Sequence, residues 1–159
     1  IANDNDPNQV VISGHRSDVE QVIELTKEKG ARRALPLNVS APFHCKIMAP
    51  AASVMEEALS NVKIAVPVVP VVMNTRAEAI IDPELIRTLL VDQMVEMVRW
   101  RESINYIYDK GPTIFYEVGA GKVLSGMVKR IVGEAKTVNI SSYKDILTTI
   151  EGLNNGNIN

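Results

Sequence analysis

His44 and Cys45 sit side by side in the segment Ala41-Pro42-Phe43-His44-Cys45, and their types suit proton transfer and nucleophilic attack better than any other neighbours in the chain. Pro42 fixes its own φ and turns Ala41 away from helix, so His44 is expected on a constrained loop. A histidine held there suits a general base, and equally a hydrogen-bonded loop residue with no catalytic role, because a base needs a nucleophile. Cys45 is a poor choice of nucleophile: neighbouring side chains on extended backbone face opposite ways and cannot share a proton. His15 reads as a polar turn residue. The turn Gly119-Ala120-Gly121-Lys122 is glycine-rich like a phosphate cradle, yet it lacks the full spacing and the Ser or Thr directly after the lysine. It reads as a strand-to-helix turn that needs small residues. No Gly-x-Ser-x-Gly nucleophile elbow occurs in the 159 residues.

The elements that hold these residues alternate between strand and helix. Gln9 to Ser13 is a β-branched run closed by Gly14, Asp18 to Lys29 carries Val19, Val22, Ile23 and Leu25 at helical spacing, and Arg33 to Val39 alternates like a second strand. Together they predict a β-α-β unit. A helix is expected from Ala49 to Val62, then a proline-interrupted stretch, Ile64 to Pro70, and a strand at Val71 to Met73 that stops at Asn74. Asp82-Pro83 is a strong helix start, and that helix is expected to run to Val95 with Gln93 near its end. Trp100 to Tyr108 reads as a helix, Thr113 to Val118 as a strand, Gly121 to Val132 as a helix, and Thr137 to Ile140 with Tyr143 to Leu153 as a last strand and helix. This order indicates an α/β protein.

Composition narrows the function classes. Hydrophobic residues make up 46% and charged residues 23% of the chain, enough for one sizeable core. No apolar run approaches the ~18 residues of a membrane span, so no membrane partner is expected. A net charge of −2 and few aromatics argue against nucleic acid. One cysteine cannot form an internal disulfide and makes no metal pattern, so no metal is expected and a reducing, cytoplasmic setting fits. The chain starts at Ile1 with no initiator methionine and no leader pattern, as an excised fragment would.

Four stretches, IANDND-PNQVVISG, ALPLNVSAPFHCKIMAPAA, VVMNT and EVGAGKVLSGMVKRI, resemble in content, order and spacing the C-terminal portion of bacterial malonyl-CoA:acyl carrier protein transacylases. The resemblance runs from the start of the chain to about Ile131. It implies a partial α/β-hydrolase-like acyltransferase domain with part of an inserted ferredoxin-like subdomain: residues 1–39 in the later part of the small subdomain, 40–153 in the large domain and 154–159 a disordered tail. It also implies a fatty-acid-synthesis enzyme that moves malonyl from CoA to the carrier phosphopantetheine thiol by a ping-pong Ser/His mechanism. The family's serine would lie on an absent upstream segment, so the chain is expected to be inactive alone and to associate with that segment.

By the same resemblance His44 is the catalytic base and Gln93 the residue whose main-chain carbonyl orients it. Phe43 excludes a branched acyl group, and Asn3, Asn5 and Asn74 line the substrate cleft. Lys122, Lys129 and Arg130 form a patch for the acidic carrier. Malonyl-CoA and the carrier are substrate and partner, and no cofactor is implied. The family's usual GPGK turn is GAGK here. A non-catalytic carrier-binding module, or a displaced fragment, is the competing expectation.

Overall fold

A computed structural model describes residues 1–111 and 114–155. The element order is β1 (Asn3–Asp6), β2 (Gln9–Val11), α1 (Arg16–Glu28), α2 (Ala49–Ser60), β3 (Val71–Met73), β4 (Glu78–Ile80), α3 (Pro83–Asp92), α4 (Trp100–Tyr108), β5 (Ile114–Val118), α5 (Val123–Ile131), β6 (Lys136–Ile140) and α6 (Tyr143–Asn154), with a short 3-10 turn at Lys46–Met48 ahead of α2. The strands form three two-stranded sheets: the antiparallel hairpins β1-β2 and β3-β4, and the parallel pair β5-β6 joined through α5. That last unit is a β-α-β crossover, and the chain is of mixed α/β character.

The first half of the expected topology needs correction. Arg33 to Val39 alternates as a strand should but joins no ladder, and Leu35, Leu37 and Val39 stay exposed. A strand exists only by pairing, and no neighbouring strand among the described residues offers that segment an edge. Gln9–Val11 pairs instead with β1, which the polar sequence Asn3-Asp4-Asn5-Asp6 concealed. α1 is amphipathic in sequence yet buries none of its residues. The strand expected from Thr113 is seen from Ile114, Thr113 itself lying outside the described residues. α6 runs to Asn154, one residue into the expected tail, of which 156–159 lie outside them too.

Two small cores carry the packing. Met73, Ile86 and Leu89 bring β3 against α3, and Ile104, Val128 and Ala135 bring α4 against α5. β1 lies between these parts. It bonds β2 on one edge and bridges Val98 on the other, with Asp4 N–H donating to Val98 O at 2.9 Å and Val98 N–H to Ala2 O at 2.8 Å. On its buried face, Asp4 Oδ2 accepts from Arg101 Nη2 of α4 at 2.7 Å, and Asp6 Oδ2 from Arg130 Nε of α5 at 2.9 Å. Asp6 is fully buried, so its charge requires that partner. Two acidic residues two apart on a strand share one face, which is why both reach the helices and Asn3 and Asn5 lie on the other.

The molecule leaves an unusual amount of itself uncovered. It exposes 11033 Å², against about 7,900 Å² for a compact monomer of its mass. Val66, Val68 and Val69, in the proline-interrupted stretch, are largely or wholly exposed. Among the described residues, no helix is long and apolar enough to cross a membrane.

Candidate active site

The site is built where the loop before α2 meets the end of α3. α3 starts because Asp82 Oδ1 accepts from the backbone N–H of Glu84 at 2.8 Å and Leu85 at 3.1 Å, with Pro83 at the first helical position. It ends at Asp92, three residues before the expected Val95, because the chain tightens: Met94 N–H donates to Val91 O and Val95 N–H to Asp92 O. Gln93 is thus the C-cap. Its N–H is still bonded to Leu89 O at 3.1 Å, and its carbonyl, like those of any last turn, is left for an outside donor.

That donor is His44. Nδ1 lies 2.7 Å from Gln93 O. A carbonyl only accepts, so the proton is on Nδ1 and the neutral ring keeps its lone pair on Nε2. The imidazole is half-buried and its backbone is left-handed, with φ 60°. Histidine is among the few non-glycine types enriched in that region, and its strain of about 1–2 kcal/mol persists only where the surroundings hold it. Here Phe43 N–H bonds Ala41 O at 3.0 Å, the Cys45 thiol donates to Pro42 O at 3.1 Å, and Met48 N–H closes the 3-10 turn onto Cys45 O at 2.9 Å. The left-handed backbone at His44 corrects the expectation of an extended segment. Cys45 is still not paired with His44, because its thiol is turned back to Pro42.

Asn74 joins the same group. It directly follows β3, its side-chain amide donates to Gln93 Oε1 at 3.2 Å, and its carbonyl accepts from Arg99 N–H at 3.1 Å. Three of the residues singled out in the sequence, His44, Gln93 and Asn74, therefore form one hydrogen-bonded chain. Phe43 stands next to it, roughly half exposed. Asn3 and Asn5 are elsewhere, on β1: Asn3 bridges Val98, and Asn5 sits at a bulge and donates to Gln9 Oε1 at 3.3 Å.

The basic residues divide. Lys122 and Lys129 are exposed, whereas Arg130 is engaged with Asp6 beneath it. That partner lies 124 positions away, beyond the reach of any local pattern. The glycine turn is explained by Glu117, a residue with no motif of its own. Glu117, on β5, accepts from the backbone N–H of Leu124 at 3.1 Å and Ser125 at 2.8 Å, so its carboxylate occupies the N-terminus of α5 where a phosphate would have to bind. The Ser125 hydroxyl and N–H, with Leu124 N–H and the Asn139 amide, hold the Glu117 carboxyl below the usual glutamate range against the opposing effect of burial. Gly119 and Gly121 have φ of 136° and 90°, which explains why the turn is built on glycine. Among the described residues no cluster of His, Cys, Asp and Glu is arranged to hold a metal ion.

Comparison with known proteins adds to this geometry. A family model described as the acyl transferase domain matches residues 1–149. The chain is 43% identical, over its full length and 50% of the relative's, to the malonyl CoA-acyl carrier protein transacylase of Bacillus subtilis (strain 168). It is 45% identical to that of Escherichia coli (strain K12), over 82% of this chain and 42% of the relative. Among solved structures, an acyl-carrier-protein-S-malonyltransferase from Bartonella henselae superposes with a TM-score of 0.92 at 42% identity, covering 97% of this chain and 49% of that one. A malonyl-transacylase in complex with its type II PKS acyl-carrier protein superposes with a TM-score of 0.91 at 38% identity, covering 95% and 49%. The chain spans about half the length of the curated relatives it matches.

Proposed function

The chain belongs to the acyl transferase domain family, and we propose that it is the half of a malonyl-CoA:acyl carrier protein transacylase that supplies the general base, His44. The observation that carries this reading is the 2.7 Å bond from His44 Nδ1 to the carbonyl of Gln93, which leaves Nε2 as the acceptor. A carbonyl fixes the tautomer without adding charge. The nucleophile is a serine on an upstream segment that packs on the exposed apolar surface of this chain.

In the first half-reaction His44 Nε2 takes the serine hydroxyl proton as the oxygen attacks the malonyl thioester. The C–S bond breaks, and the CoA thiolate receives the proton from the imidazolium. In the second, the phosphopantetheine thiol gives its proton to Nε2 and attacks the acyl-serine ester, and the departing serine oxygen takes that proton back. Atoms and charge balance with no further cofactor. Phe43 limits the pocket beside the acyl group and disfavours a methyl branch. Asn3 and Asn5 line the cleft, on the face of β1 away from its buried aspartates. Lys122 and Lys129 attract the acidic carrier, with a lesser part for Arg130.

In this reading residues 1–39 belong to a ferredoxin-like small subdomain and 40–153 to a hydrolase-like large domain, whose β-α-β character agrees with β5-α5-β6. The carrier complex of the similar malonyl-transacylase supports the choice of partner. The test is malonyl transfer from malonyl-CoA to phosphopantetheinylated carrier protein by this chain mixed with the upstream half. Transfer in the mixture alone supports the proposal. Transfer by the chain alone would mean that the nucleophile lies within these residues, and none in either case would favour a carrier-binding module or displaced fragment.

A further inference from the structure

We infer that Asn74 is a positioning residue for the base, acting through Gln93, and not a substrate ligand; this rests on His44 being the base. Gln93 is held at three points: its N–H by Leu89 O at 3.1 Å, its carbonyl by His44 Nδ1 at 2.7 Å, and its side-chain Oε1 by the Asn74 amide at 3.2 Å. It stands at a helix end, where the carbonyl direction depends on one terminal ψ and no further helical turn restrains it. Fixing both the N–H and the side chain of such a residue fixes where its carbonyl points, and that carbonyl selects the His44 tautomer.

Asn74 is suited to the task because its backbone is tied to two parts of the fold. It follows Met73, which is buried in the core against Ile86 and Leu89 of the same α3 helix, and its own carbonyl is tied to Arg99 N–H. β3, α3 and the loop before α4 thus meet at Asn74, and the amide transmits their position to Gln93. One of the two Asn74 amide hydrogens is committed to Gln93 Oε1, which turns the side chain toward the residue that holds the base.

The first test is the solid-state ring-nitrogen NMR spectrum of the 15N-histidine-labelled chain, which self-association does not prevent, with His15→Gln to assign the two histidines. The native chain is expected to hold neutral His44 as the Nδ1–H tautomer. Asn74→Leu removes the donor at similar size and is expected to move a substantial share of it to the Nε2–H form. An unchanged tautomer would overturn the inference. Gln93→Met, which keeps the backbone carbonyl and removes Oε1, is expected to do the same and serves if Asn74→Leu does not fold.

The second test uses the chain assembled with the upstream half. Each variant is expected to lower kcat for malonyl transfer by up to roughly tenfold, the scale of one hydrogen bond, with KM for malonyl-CoA within about twofold of native and the double variant no worse than either single one. A raised KM at native kcat would make Asn74 a substrate ligand instead. His44→Ala in the same assembly separates the two readings: if it keeps native activity, the base assignment fails, while the tautomer result stands on its own.

Discussion

At His44 a strained backbone and a bound carbonyl occur in the same residue, and each can be tested apart from the other. Asn, like His, tolerates the left-handed region, so His44→Asn is expected to fold with near-native stability while removing the base. That variant isolates chemistry from strain. Phe43, half exposed beside the histidine, is the residue whose size should matter for the acyl group. Phe43→Ser in the assembled enzyme is expected to narrow the preference for malonyl over methylmalonyl by about 1–3 kcal/mol, read from the ratio of kcat/KM values; an unchanged ratio would refute it. Sequence alone made His44 a candidate, since a histidine after a proline turn is a visible pattern. It could not reveal the left-handed φ or the partner, because the Gln93 carbonyl carries no side-chain signature. The role of the Gln93 main-chain carbonyl came from resemblance, and the structure adds the 2.7 Å contact with His44 Nδ1.

Among the elements, those legible in the sequence were the ones with local signals. α3 began at Asp82-Pro83 as its cap required, and α4 matched its expected span. β1 was missed because alternating Asn and Asp look like a polar loop until Arg101 and Arg130, about a hundred residues on, neutralise its buried face. That arrangement separates two neighbours on α5. Arg130→Met would leave Asp6 buried without its partner and is expected to cost about 1–3 kcal/mol in denaturant unfolding, less than for a fully buried pair because the arginine is partly in water. Lys129→Glu is expected to leave stability nearly unchanged and to raise the apparent KM for carrier protein without affecting the CoA half-reaction. An equal effect on both half-reactions would count against carrier docking.

The Glu117 cap at the start of α5 has a pH signature. Its pKa is depressed in the folded state, so its contribution is present above the ordinary glutamate value of about 4.3 and is lost as pH falls through the lower folded value. Glu117→Gln should therefore lower Tm at pH 7, and the gap from native should close in acid below that point. A gap that persists unchanged to the acid limit would show that the carboxylate charge is not what holds the helix.

For the whole molecule the governing fact is surface. The exposed area exceeds that of a compact monomer by about 3,000 Å², within the range of obligate interfaces, and exposed valines and leucines contribute to it. Arg33 to Val39 shows the same thing from the side of sequence: its alternation is that of a strand, but pairing is a property of two segments, and among the described residues no second segment pairs with it. The chain alone is expected to bind hydrophobic dye and to self-associate in sedimentation, and the upstream half is expected to suppress both. A monodisperse chain that melts cooperatively and binds no dye would contradict this.

The central claim is that this chain provides the base that activates a serine carried elsewhere. Its most direct test is the single-turnover rate at which malonyl-CoA acylates that serine in the assembled enzyme, native against His44→Asn. The account predicts a fall of about 10²–10⁴-fold with assembly intact. Acylation at the native rate in the His44→Asn assembly would contradict it.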